Sequence, residues 1–226
     1  MRKYKFTGKT TKSISDIELH QIVAVTDFGS IKAETVGGWI ESENNLLQSD
    51  NAWVSGDARV FDDAQVSDNT WVFGNARVSG NARVSGDAQV SDNTWVFGNA
   101  RVSGNAQVSD NTWVSGNAWV SGNARVFGNA WVSGNARVFG DARVSDNAQV
   151  SDTRHVLVIG PVGSRDDFIT FFKTEHGISV RCGCFRGDIK DFLNSVKNTH
   201  GSSRHGEVYR LAAEMAKEQM LGGGKK

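Results

Sequence analysis

The sequence predicts a mainly β protein: a coil of short parallel strands about six turns long, with an N-terminal β cap and a small C-terminal α+β domain. Three observations lead there. An unbroken run of hexads fills the middle of the 226-residue chain, non-repeating segments flank it, and the segment after the run changes in both charge and periodicity. Repeats are read first because they dictate architecture before any other signal.

From Asn51 to Asp152 the chain reads as 17 consecutive hexads of the form Asn/Asp, Ala/Thr, variable, Val, Ser/Phe, Gly/Asp, with no insertion. Every hexad has Val in fourth place, from Val54 to Val150, and a small residue two places earlier, from Ala52 to Ala148. Residues two apart on a strand share a face, so the small residue and the Val point inward while the variable residue and the Ser/Phe point outward. Gly or Asp followed by Asn or Asp supplies the corner, because these residues tolerate a left-handed backbone. A pattern that never reverses register cannot form hairpins and must coil. Three sides close a turn of 18 residues, with successive turns about 4.8 Å apart. Asn45 to Asp50, taken as a degenerate first hexad, completes six turns.

Counting in threes sorts the outward residues into columns. The first side carries Trp53, Trp71, Gln89, Gln107, Arg125 and Arg143. The second carries Arg59, Arg77, Trp95, Trp113, Trp131 and Gln149, with Phe97 outward beside Trp95, and the third carries Gln65, Arg83, Arg101, Trp119 and Arg137. Trp95, Phe97, Trp113 and Trp131 form an apolar stripe approaching the largest patch that a monomer usually shows. Three readings stand: rings that cover one another, a homo-oligomer face with a trimer expected, or a face for a different partner.

The unit V-[SF]-[GD]-[ND]-A-[RWQ] resembles the hexapeptide repeat of left-handed parallel β-helix proteins, and that resemblance implies the left hand and the triangular section. It is specific for fold and uninformative about function. Many relatives of this kind are acyltransferases, which implies a catalytic His near a loop that interrupts the repeat and an acyl donor in a groove between subunits. Residues 51–152 contain no His, Cys, Lys or Glu and no interrupting loop. General-base chemistry would fall to Asp residues that turn geometry already explains. The three His ligands of zinc-dependent β-helix enzymes are also missing. Neither a catalytic residue, a metal nor a cofactor is expected, and an acyltransferase is the alternative to a binding protein.

Residues 1–44 read as a cap, with strands over Arg2–Phe6 and Ile17–Val25, because an open coil end exposes unpaired strand groups and core Val. The wording MRKYKFTG, TDFG and VGGWIESENNL resembles the start of hexapeptide-repeat proteins of bacteria and their prophages, some of them named acyltransferases. Residues 153–226 read as a three-stranded α+β domain, with strands over His155–Ile159, Phe168–Lys173 and Ile178–Phe185. A helix follows behind Asp188 as N-cap, then a last helix through Val208 and Met215, and a tail from Gly222. Gly160 to Arg165, Thr170 to Phe172, Cys182-Gly183-Cys184-Phe185 and Thr199-His200-Gly201 resemble a domain that follows such repeats in phage-type proteins.

The whole chain carries 25 basic and 25 acidic residues, but residues 153–226 hold 12 basic against 8 acidic, and residues 51–152 hold 7 against 10. The end of the rod therefore attracts anions, whereas nucleic acid is not expected on the helix. Ser164, Arg165, Lys173, Arg181 and His200 are the candidate contacts, with Arg165 leading because its planar fork holds two oxygens. The ligand would be a nucleotide-like anion or an acidic host-protein surface. Cys182 and Cys184 share a strand face with Ile178 and Val180 and read as two small buried residues. A metal site would need partners such as His155 and His200, for which the spacing gives no pattern. Without an apolar run long enough for a membrane span or a signal peptide, a cytoplasmic location is expected. The functional expectation is a non-catalytic binding protein of phage or prophage type, such as an inhibitor of a host system, with the coil as multimerising scaffold.

Overall fold

The computed structural model describes residues 2–163 and 165–222. Three N-terminal strands, β1 (Tyr4–Lys12), β2 (Glu18–Ala24) and β3 (Val36–Ile40), precede 17 two-residue strands, β4 to β20, running from Trp53–Val54 to Gln149–Val150. These form a β-solenoid of three parallel sheets whose columns follow the 18-residue count: Trp53 pairs with Trp71, Trp95 with Trp113, and Arg83 with Arg101. From Trp53 to Trp131 the variable outward residues donate their N–H to the carbonyl 17 residues on, as from Trp71 to Ala88 at 3.0 Å and from Arg101 to Ala118 at 2.9 Å. The inward Ala and Val side chains are buried along the whole coil and make one continuous core.

The corners explain the sixth position of the hexad. Gly74 has φ of 69°, and a Cβ there would sit 2.9 Å from the Asp92 nitrogen of the next turn. Asp at the same place adopts φ near 60°, as Asp62 and Asp110 do, and its carboxylate accepts from the turn above: Gly80 N–H donates to Asp62 at 2.9 Å and Gly128 N–H to Asp110 at 2.8 Å. These carboxylates hold corners. First-position Asn side chains form amide ladders one turn apart, such as Asn75, Asn93, Asn111, Asn129 and Asn147.

The first turn is longer than the rest. Leu46 bridges to Val66 and Trp39 pairs with Arg59, both 20 residues apart, so Asn45–Asp50 is not an in-register hexad. Two extra residues lie between Leu46 and Trp53, and the 18-residue count begins only with Trp53. β3 is thereby the first rung of the second side, and β1 and β2 add antiparallel to it, giving a single nine-stranded sheet. Lys3 ties this end shut. Its buried ammonium donates to the Asp50 carboxylate at 2.7 Å and to the Ala52 carbonyl at 2.8 Å, while the Tyr4 hydroxyl donates to the Leu46 carbonyl at 2.8 Å.

At the other end lies a four-stranded antiparallel sheet, one strand more than the sequence predicts: β21 (Val156–Val162), β22 (Asp167–Thr174), β23 (Gly177–Cys182) and β24 (Phe185–Asp188). Helices α1 (Ile189–His200) and α2 (Arg204–Leu221) follow, and Asp188 caps α1 as expected by accepting from Lys190 and Asp191 N–H. One face of the sheet closes the solenoid. Val156 and Phe172 join the solenoid core, and Arg143 N–H donates to Thr170 Oγ1 at 2.9 Å. The opposite face, with Ile169, Phe171, Ile178 and Val180, packs on α1 and α2. No helix among the described residues is long and apolar enough to cross a membrane.

Candidate functional site

A cavity of about 230 Å³ opens in the C-terminal domain where the β23–β24 turn meets α1 and α2. Val162, Phe185, Phe192 and Val196 give it an apolar lining, and Arg165, Asp167, Cys182, Cys184, His200 and Tyr209 supply polar groups. Its walls are fixed by packing. Phe192 meets Phe171, Phe185 and Tyr209 edge to face at 5.4–5.9 Å, and the His200 ring lies 5.3 Å from that of Tyr209. Gly163, at φ of 77°, runs beside the Tyr209 hydroxyl so closely that any Cβ would collide with it.

The cysteines differ from the sequence expectation. Residues 182–185 form a tight turn rather than a continuous strand, because Gly183 takes φ of 56° and Cys182 pairs with Phe185. Cys182 is half-buried, and Cys184 sits exposed in the turn, so the two are not a pair of buried residues on one face. Burial, reinforced by the Asp167 carboxylate, raises the Cys182 thiol above its usual pKa. It therefore remains a thiol at neutral pH, and thiolate is the nucleophilic form. Among the described residues no cluster of three or more His, Cys, Asp or Glu could hold a metal ion.

The candidate anion contacts do not converge. Arg165 and His200 line the cavity, and Ser164 lies outside the described residues. Arg181, next to Cys182 on β23, points to the opposite face of the sheet, where its Nε donates to Ser145 Oγ at 2.8 Å and its guanidinium pairs with Asp146 at 3.4 Å and stacks over Phe127. Lys173 pairs in register with Ile178 near the other end of the β22–β23 hairpin and does not line the cavity. Strand alternation rightly separated Arg181 from Val180 but also separated it from Arg165. Missed by sequence reasoning were Asp167 and Tyr209, both on the cavity wall. A signal was available: three of the four stretches singled out in this domain, those around Val162–Arg165, Cys182–Phe185 and Thr199–His200, meet at this one place.

On the solenoid, the rings of the second-side column cover one another only in part, Trp113 remaining 37% exposed. Trp95 and Trp113 stack at 5.1 Å with planes 2° apart, Phe97 meets Trp113 edge-on, and Arg77 lies 4.7 Å over Trp95. Trp131 turns edge-to-face against Trp113 and is 50% exposed.

Comparison with known proteins bears on the coil. Residues 71–86, 76–92, 96–110, 118–134 and 136–152 match the family described as YdcK Beta solenoid repeat. The protein named "Uncharacterized acetyltransferase YdcK" of Escherichia coli (strain K12) is 35% identical over 82 residues, covering 33% of this chain and 25% of that relative. The chain thus spans about a quarter of the length of the curated relative it matches. In its repeat, this protein is similar to β-solenoid proteins of the YdcK kind.

Proposed function

We propose that the chain is a non-catalytic interaction protein, in which the solenoid is a rigid, self-associating spacer and the C-terminal domain is the module that contacts a ligand. The observation that carries this reading is the convergence of three distant stretches on one preformed cavity, while solenoid carboxylates such as Asp62 and Asp110 hold corners. The cavity suits a small ligand with an apolar body: an anionic group would meet Arg165 and His200, and a donor would meet Asp167. The protonated Cys182 thiol fits binding better than nucleophilic catalysis. A phage or prophage setting, with a host protein presenting such a group, belongs to this reading through the resemblance of both ends of the chain.

Isothermal titration of the full chain with inorganic phosphate, nucleoside monophosphates and acetyl-CoA tests it. Saturable binding of an anionic ligand, weakened by Arg165→Ala and by His200→Ala, supports the reading, and no binding by any of the set counts against it. Self-association is tested by light scattering on the parent and on Trp113→Arg: a trimeric parent and a dissociated variant are expected, and a monomeric parent removes the spacer's multimerising role. The name of the repeat-sharing relative favours an acetyltransferase as the second reading. Acetyl-CoA binding that survives both cavity substitutions, together with acetyl transfer, would establish that reading instead.

A further inference from the structure

The net charge of the repeat conceals how the turns distribute it. Between residues 75 and 140, hexads of the second and third sides carry Arg77, Arg83, Arg101 and Arg137 and not one Asp or Glu. The carboxylates of that span, Asp87, Asp92 and Asp110, all fall on hexads of the first side. Over this span stacking by 18 therefore gathers all three carboxylates on the first side, together with Arg125, and leaves the second and third sides with arginine as their only charged residue.

The third side concentrates the effect. Arg83, Arg101, Trp119 and Arg137 stand in register on consecutive rungs, a line about 14 Å long at the usual strand spacing. All four are exposed, and with Asn81, Asn99 and Asn117 they line a shallow groove of about 390 Å³. Among the described residues none of these three arginines has an ion pair. Arg83 and Arg101 are directly opposed on neighbouring strands, an arrangement of like charge that is unfavourable until an anion lies across it. Trp119 offers a ring 42% exposed, pinned by its Nε1–H donating to Ser103 Oγ at 3.1 Å.

We infer that this groove binds single-stranded nucleic acid, with phosphates along Arg83, Arg101 and Arg137 and a base on Trp119. A single phosphate would leave most of the line unused, and a duplex hides the faces of its rings. Cationic tracks interrupted by an aromatic platform are the general solution for a single strand. This site is independent of the cavity: substitutions at Arg165 or His200 leave it intact.

Fluorescence polarisation of a short labelled oligothymidylate with the full chain tests the inference across a salt series. Binding at low salt is expected, with a log–log salt slope of about −2 for three neutralised phosphates. Arg101→Gln should weaken binding and flatten the slope by about 0.7. Trp119→Ala should weaken binding with the slope unchanged, and Arg125→Gln on the first side should change neither quantity. Absence of binding at low salt overturns the inference, as does binding indifferent to Arg101→Gln. An abasic phosphodiester or a sulfated glycan binding as well as the oligothymidylate would overturn the assignment of a base to Trp119 and of nucleic acid to the groove. A light-scattering mass that falls on Arg101→Gln would make the face an interface between copies and overturn it too.

Discussion

Arg181 Nε donates to Ser145 Oγ at 2.8 Å, and the same guanidinium reaches Asp146 at 3.4 Å, so one side chain from the C-terminal sheet grips the last corner of the solenoid's first side. Arg186 shares that carboxylate, and Phe127 lies beneath the Arg181 guanidinium. The residue that charge counting marks as a ligand contact is therefore the bolt between the two parts of the chain.

Arg181→Ala should loosen the cap. A hydrogen bond to a charged group contributes about 1.5–3 kcal/mol, and Ser145 and Asp146 would lose a partner at a partly covered site. The expected result is a lower thermal midpoint and faster proteolytic cutting near residues 152–156, with phosphate titration into the cavity unchanged. An unaltered melt would mean that Phe172 and Val156 hold the cap without it.

Thr94 and Thr112 occupy the inward small position on neighbouring rungs of the second side, and their hydroxyls are buried without a hydrogen-bond partner. An unmade hydrogen bond of this kind costs about 1–3 kcal/mol. Thr112→Val keeps the shape and removes the orphan oxygen, so chemical denaturation should show a more stable protein. The gain from Thr94→Val in the same chain should not simply add, since the two sites touch.

Ser151 N–H donates to His155 Nδ1 at 3.2 Å, which only a neutral ring with that nitrogen bare can accept. Burial first, then the positive charge of Lys173, holds this imidazole below its usual pKa. A lowered pKa means that the unfolded chain takes up the proton first. The stabilisation is present above the ordinary histidine range, near 6.5, and declines as pH falls through that range to the folded value. Thermal midpoints should drop across this window. His155→Asn, whose side-chain oxygen can stand in for Nδ1, should flatten the drop, and an unchanged pH profile would exclude His155 as its source.

What the sequence made legible follows from what is periodic. The inward Val and Ala, the three columns and the Gly/Asp corners all come from a rule applied 17 times, and the pairing of Trp95 with Trp113 confirms it. The rule fails where periodicity stops. The 20-residue first turn depends on Leu46 filling a core place that the hexad count gives to Gln48, and β24 depends on Gly183 breaking what otherwise reads as one strand. Alternation placed Arg181 on the face away from Val180. That the solenoid end would cover this face, and helices the other, is a property of three-dimensional layering that local pattern does not carry.

The columns themselves permit a controlled test of register. Residues 81–86 and 99–104 are the same hexad, NARVSG, and both lie in the interior of the repeat run. Duplicating either one adds identical residues to an identical total length. Each cap packs on the turns nearest to it, so both variants should fold and unfold with similar cooperativity, as expected of a stack held by nearest-neighbour contacts. They differ in one respect. A hexad added after Gly86 lies before both Trp95 and Trp113 and leaves them one turn apart, whereas the same hexad added after Gly104 moves Trp113 to the next side and sets Gln107 over Trp95. The parallel rings at 5.1 Å should give an exciton-coupled circular dichroism band in the parent and in the first variant. That band should be lost in the second. Two folded variants with the same band would mean that the signal arises from other aromatic pairs, and an unfolded second variant would mean that the outward columns, and not only the Val core, hold the coil together.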